Sequence, residues 1–171
     1  FEKKIVDNNV KVFILCNPHN PVGRVWTKEE LCKTAEICKK HNVIMIVDEI
    51  HCDFVYEGYH HTSFGTLSEY ADNAVICTAP SKTFNVAGMM TSNIIIPNDE
   101  MREKAHTYRE DQAVYFCNIA GYEACRVAYN ECEDWLEELI QVLDTNRKLI
   151  KDFMKEKFPQ IKVFELEGTY L

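Results

Sequence analysis

Lys82, Asp48 and Asn20 are the residues whose types and positions could do chemistry. Lys82 stands in Ala79-Pro80-Ser81-Lys82, directly after the apolar run Ala74–Cys77. In an open α/β sheet, ligands sit in the crevice beyond the carboxyl ends of the strands. A lysine held in a dry pocket there loses its proton readily and becomes a nucleophilic amine, suited to Schiff bases. Taken alone, Lys82 also reads as a surface lysine on a loop, the commoner case. Asp48 and Glu49 follow five apolar residues, Val43–Val47. Acids are rarely buried unpaired. Either one caps the next turn while the other faces water, or Asp48 holds a cationic group of a ligand. Asn20 lies in Asn17-Pro18-His19-Asn20-Pro21-Val22-Gly23. Two prolines and a glycine fix a non-helical loop. The loop is a tight turn, or it holds an amide still against a flat polar ligand.

The elements that must position these residues alternate. Val10–Cys16 and Val43–Val47 are nearly continuous apolar runs, the pattern of parallel strands buried on both faces. Between them Thr27–His41 is a helix, opened by a Thr27/Glu30 capping box and carrying a Leu31, Ala35, Cys38 stripe. Strand, helix, strand is a βαβ unit. Residues 53–71 form a polar, aromatic loop; its adjacent His60 and His61 diverge and have no third partner for a metal. Ala74–Cys77 and Ser92–Ile96 are further strands. Helices are predicted from Asp99, as cap, to about Arg109, from Phe116 to Tyr129, and from Glu133 to Phe158. The last is long and amphipathic, with Trp135, Leu139, Val142, Leu143, Leu149, Ile150 and Phe153 on one side. Phe1–Asn9 reads as the end of a helix, and Ile161–Leu166 as the start of a strand.

Three strand ends therefore converge. Each candidate residue lies about one βαβ or loop-plus-strand step beyond the last. An amide donor, a carboxylate and an amine at one edge of a parallel sheet suit pyridoxal 5'-phosphate: lysine forms the Schiff base, and an acid pairs with the pyridinium nitrogen.

NPHNPVG, DEIH and SKTFN, in that order, resemble fold-type I pyridoxal-phosphate enzymes of the class I/II aminotransferase family. SKTFNVAGMMTSNIII and the terminal EGTYL resemble its cystathionine β-lyase/cystalysin branch of C–S lyases. The likeness runs over essentially the whole chain. It implies an α/β fold: a mostly parallel sheet from the middle of the large domain (1–131), then an interdomain helix and the first strand of a small α+β domain (132–171). It also implies a role for each position. Lys82 carries the cofactor and later shuttles the substrate Cα proton, and Asp48 pairs with the ring nitrogen. Asn20 donates to the phenolic oxygen, and His51 stands where many aminotransferases place a tyrosine that reaches the same oxygen. Ser81 touches the phosphate or is only a turn residue. Met90 stands where many aminotransferases have a phosphate-binding arginine, a departure that favours the lyase branch. The implied activity is β-lysis of cystathionine- or cysteine-type amino acids to thiol, pyruvate and ammonia, in a homodimer. An aminotransferase on the same scaffold is the alternative, and a non-catalytic regulatory protein a third.

The bulk numbers agree with such a protein. The chain has 171 residues, 46% hydrophobic and 27% charged, enough for one domain with a core. A net charge of −8 argues against a nucleic-acid partner. No apolar run is long enough to span a membrane. Eight cysteines without a CxxC spacing read as free thiols of a reducing cytoplasm. The chain opens mid-pattern at Phe1 and stops in an expected strand at Leu171. It is therefore expected to be a segment of a longer protein, inactive alone because the family's ring-stacking, phosphate-binding and carboxylate-binding groups lie elsewhere.

Overall fold

The computed structural model describes residues 1–114 and 117–171. Strands β1 (Val12–Cys16), β2 (Ile44–Asp48), β3 (Ala74–Thr78) and β4 (Asn93–Ile95) form one sheet in the order β1-β2-β3-β4. The first three run parallel, with Cys16 opposite Asp48 and Asp48 opposite Cys77. β4 is antiparallel to β3. Helix α1 (Glu2–Asp7) precedes β1, and α2 (Lys28–Lys40) crosses from β1 to β2.

The capping box forms as expected: Thr27 Oγ1 accepts from the Glu30 amide, and Glu30 Oε2 accepts from the Thr27 amide at 3.0 Å. That satisfies two orphan donors of the first turn and aims the Leu31, Ala35, Cys38 stripe at the sheet. These three residues, Leu15, Met45, Val47, Ala74, Ile76, Phe64 and Leu67 make the core. Each large apolar side chain there stabilises the fold by roughly 1.5–3 kcal/mol.

The strands are not buried on both faces. Residues alternate across the sheet, and only the side toward α2 and Phe64 is sealed. On the other side Ile14 is 67% exposed and Ile94 65%, with Val12 and Ile44 also open. At its β4 edge, residues of the helix Asp99–Asp111 line a cavity with Ile94.

After β3 comes a single turn, α3 (Pro80–Thr83), then α4 (Asp99–Asp111), α5 (Ile119–Glu131) and α6 (Glu133–Lys157). The expected start of α5 at Phe116 lies outside the described residues. Asn98, not Asp99, caps α4, its Oδ1 accepting from the Met101 amide at 2.8 Å. The apolar stripe of α6 is largely open, Leu149 and Ile150 included. The expected strand 161–166 does not form. A strand needs a neighbour to pair with, and among the described residues the ladder contact in this region is the single Val55–Gly168 bridge. No helix among the described residues is long and apolar enough to cross a membrane.

Candidate functional site

The carboxyl ends of β1, β2 and β3 point the same way, so the segments leaving the three strands gather at one edge. After β1 the loop is tied to β2 by the Asn17 amide, which donates to Asp48 O at 2.9 Å. Asn17 is buried; its Oδ1 accepts from the Trp26 amide at 3.1 Å, and its Nδ2 has no partner among the described residues. Asn20 is exposed at the loop's tip, and its backbone amide faces Cys16 Sγ.

Asp48 is half-buried and accepts from the Ile50 amide at 3.1 Å through Oδ1. The register sets it between Cys16 and Cys77 on the side of the sheet that is left open. Burial first, and the Asp48 charge after it, raise both thiols above the ordinary range. They stay protonated and bring no second negative charge beside the carboxylate.

Glu49 points the other way. It is 2% exposed and accepts from the Phe64 amide at 2.6 Å and from Ser63 Oγ at 2.9 Å, with His61 Nε2 3.7 Å away. Half of the cap-and-water alternative holds: Asp48 caps the following turn through the Ile50 amide, but Glu49 does not face water; it anchors the Ser63–Phe64 loop, which leaves Asp48 as the acid on the open side of the sheet.

His51, 1% exposed, lies edge-on to Tyr170 at 5.5 Å, and its Nδ1 has no partner among the described residues. Burial, then the Lys82 ammonium, hold its pKa below the imidazole range, with Asp48 pulling the other way. The ring is neutral at neutral pH and lies within electrostatic reach of both charges. Lys82 is exposed on the one-turn α3, and Ser81, half-buried beside it, accepts the Val86 amide at its carbonyl. Pro80 opens that turn at a position where a missing N–H costs nothing.

The 167–170 segment is laced between the loops after β1 and β2. The Glu167 and Gly168 amides donate to Gly23 O, Thr169 N–H to Phe54 O and Tyr56 N–H to Glu167 O. Glu167 Oε2 accepts from the Val25 amide. Asn17 and Tyr170 thus reach the site without having been singled out as site residues. Asn17 could have been flagged by the repeated Asn-Pro of its loop; Tyr170 has no short-range signal, because its partner His51 is remote in sequence.

An amine, a carboxylate and a neutral imidazole at one crevice can capture an aldehyde and bind a protonated ring nitrogen. The profile of the family described as aminotransferase class I and II matches residues 1–171. The chain belongs to this family. It is 40% identical over 171 residues to cystathionine β-lyase PatB of Bacillus subtilis, covering 99% of this chain and 44% of PatB. Among solved structures, cystalysin from Treponema denticola, which contains pyridoxal 5'-phosphate, superposes with a TM-score of 0.93 at 45% identity, over 99% of this chain and 43% of that one. The PLP-bound C–S lyase of Staphylococcus hominis gives 0.91 at 36% identity, over 99% and 42%. The chain thus spans less than half the length of the relatives it matches.

Proposed function

We propose that the protein is a pyridoxal-phosphate-dependent lyase that breaks the Cβ–S bond of cysteine-type amino acids. The observation that supports this most is the parallel pairing of β1, β2 and β3, from whose carboxyl ends the segments carrying Asn20, Asp48 and Lys82 leave, in a chain whose relatives include named cystathionine β-lyases. The residues fit the cofactor: the buried His51 Nδ1 and the buried donor Asn17 Nδ2 have no partner among the described residues, and the Asp48 carboxylate takes the Ile50 amide through Oδ1.

When bound, the cofactor supplies an electron sink for the substrate Cα. Lys82 Nζ would hold the cofactor at its aldehyde carbon and, once freed by the substrate amine, would accept the Cα proton. Asp48 would hold the proton on the ring nitrogen. Asn20 and His51 would donate to the phenolic oxygen, and Ser81 to the phosphate. The Cβ–S electron pair would leave with sulfur as thiolate, which takes a proton to become the thiol, and water would complete the release of pyruvate and ammonia. With this reading go an amino-acid substrate, a homodimer, a cytoplasmic setting, and the division of the chain into a large-domain part (1–131) and an interdomain helix with the edge of a small domain (132–171).

The test is to load the full-length protein with the cofactor, reduce with borohydride and assay cystathionine. Cofactor mass on the Lys82 peptide and release of pyruvate are expected. A transamination product in place of pyruvate favours an aminotransferase. An adduct that persists in Lys82→Ala, or none in the unaltered protein, overturns the reading.

A further inference from the structure

We infer that Asp53 is a positioning residue for Lys82, acting through the buried hydroxyl of Thr83. The inference rests on the reading that Lys82 carries the cofactor. α3 is four residues long, and its last turn is closed by the Phe84 amide donating to Pro80 O at 2.9 Å. A lone turn has no stability of its own, so the direction of Lys82 is imposed from outside.

The outside restraint is Thr83. It is 0% exposed, and its Oγ1 donates to Asp53 Oδ2 at 2.6 Å. Successive helical residues point about 100° apart, so seating Thr83 inward turns Lys82 toward the crevice. Asp53 belongs to the same short segment as Asp48 and His51. That segment is stiffened by the Cys52 amide donating to Glu49 O at 2.9 Å and the Phe54 amide donating to His51 O at 3.0 Å. One carboxylate therefore joins the chain that carries the acid to the turn that carries the amine.

Neighbouring groups keep that carboxylate's role simple. Burial and then Asp53 push the Cys52 thiol up to about 12, and burial and then Asp53 raise the Tyr129 phenol. Both remain neutral beside it. On the far side of the turn, Phe84 packs edge-on to Tyr129 at 5.6 Å and against Trp135 at 6.1 Å, anchoring the turn to α5 and α6. Asp53 has no part in the chemistry proposed above.

The test compares Thr83→Val, Thr83→Ser and Asp53→Asn in the full-length protein loaded with pyridoxal 5'-phosphate. The readouts are the cofactor mass fixed on the Lys82 peptide by borohydride, the pH midpoint of the visible band of the lysine-bound cofactor, the steady-state constants and the melting temperature. Thr83→Val and Asp53→Asn are expected to move the midpoint and to lower kcat by on the order of 10–10²-fold with KM little changed, the scale of a small misplacement of a reacting group. Thr83→Ser is expected to restore the midpoint. A fall in melting temperature with midpoint and kcat unchanged makes the contact merely structural and overturns the inference, as does a Thr83→Ser that behaves like Thr83→Val. Should Thr83→Val not fold, Asp53→Asn decides by the same criteria. No adduct on Lys82 in the unaltered protein overturns the parent reading and this inference with it; a normal adduct with unaltered variants overturns the inference alone.

Discussion

The amide of Gly168 donates to the carbonyl of Gly23 at 2.9 Å, so the 167–170 segment is fastened to the loop that carries Asn20. Neither position has room for a methyl group. A Cβ on Gly168 would meet Phe54 O at 2.7 Å and Val25 Cγ2 at 2.9 Å; on Gly23, at φ +72°, it would meet Leu166 Cδ1 at 2.1 Å. The first obstacle is backbone and the second the end of a flexible side chain. Gly168→Ala is therefore expected to cost about 1–3 kcal/mol, toward the upper end, as an overpacked contact does. Gly23→Ala is expected to cost roughly 1 kcal/mol, chiefly from its left-handed backbone. Urea unfolding of the two variants checks the order; equal midpoints for Gly168→Ala and the unaltered chain would show that the segment is loosely held.

Asp48→Ala should leave cofactor on Lys82 but weaken turnover by at least ~10²-fold, the loss typical of removing a preorganised charge. Steady-state assay of the variant with cystathionine measures it. Near-normal turnover would mean that another group holds the ring nitrogen.

Glu49→Ala tests the opposite expectation for the neighbouring acid. It strips the Phe64 amide and Ser63 hydroxyl of their buried acceptor, which should cost about 1–3 kcal/mol for the group left unsatisfied. Chemical denaturation is expected to show a large loss for Glu49→Ala and a small one for Asp48→Ala. A reversed ranking would be inconsistent with the burial of Glu49.

The neutral His51 ring makes stability depend on pH. Its folded pKa lies below the ordinary 6.5, so as pH falls through that value the unfolded chain takes up the proton first. Stability rises with pH wherever the unfolded state binds more protons; it is therefore lost on acidification from about 6.5 down toward the folded value. Asp144, held below 3.8 by Lys148 and Arg147, loses its share only at lower pH. His51→Gln should flatten the decline between about pH 7 and 5.5 in urea titrations, while leaving the deeper acid limb in place.

The features legible in the sequence were local or governed by strand ends. The Thr27/Glu30 box spans one turn, so its residues alone determine it. Asp48 and Lys82 close apolar runs, and parallel strands bring such ends to one edge whatever the loops do. The rest depended on remote partners. Glu49 is sealed by Ser63 and Phe64, which nothing near it announces. The open face of β1 and β2 is set by the elements that pack on the sheet rather than by the apolar runs themselves. Residues 161–166 have strand-like composition, but pairing is supplied by a neighbour. Asn98 in place of Asp99 as cap is the ordinary one-residue ambiguity of a helix end.

The placement of Asp48 between Cys16 and Cys77 also bears on oxidative durability. The two thiols flank β2 from opposite sides, roughly 9–10 Å apart at two strand spacings, beyond the reach of a disulfide. The carboxylate between them favours the thiol over the thiolate in each, and oxidants attack the thiolate. The acid proposed to serve the cofactor thus adds to what burial does in keeping its neighbouring thiols protonated.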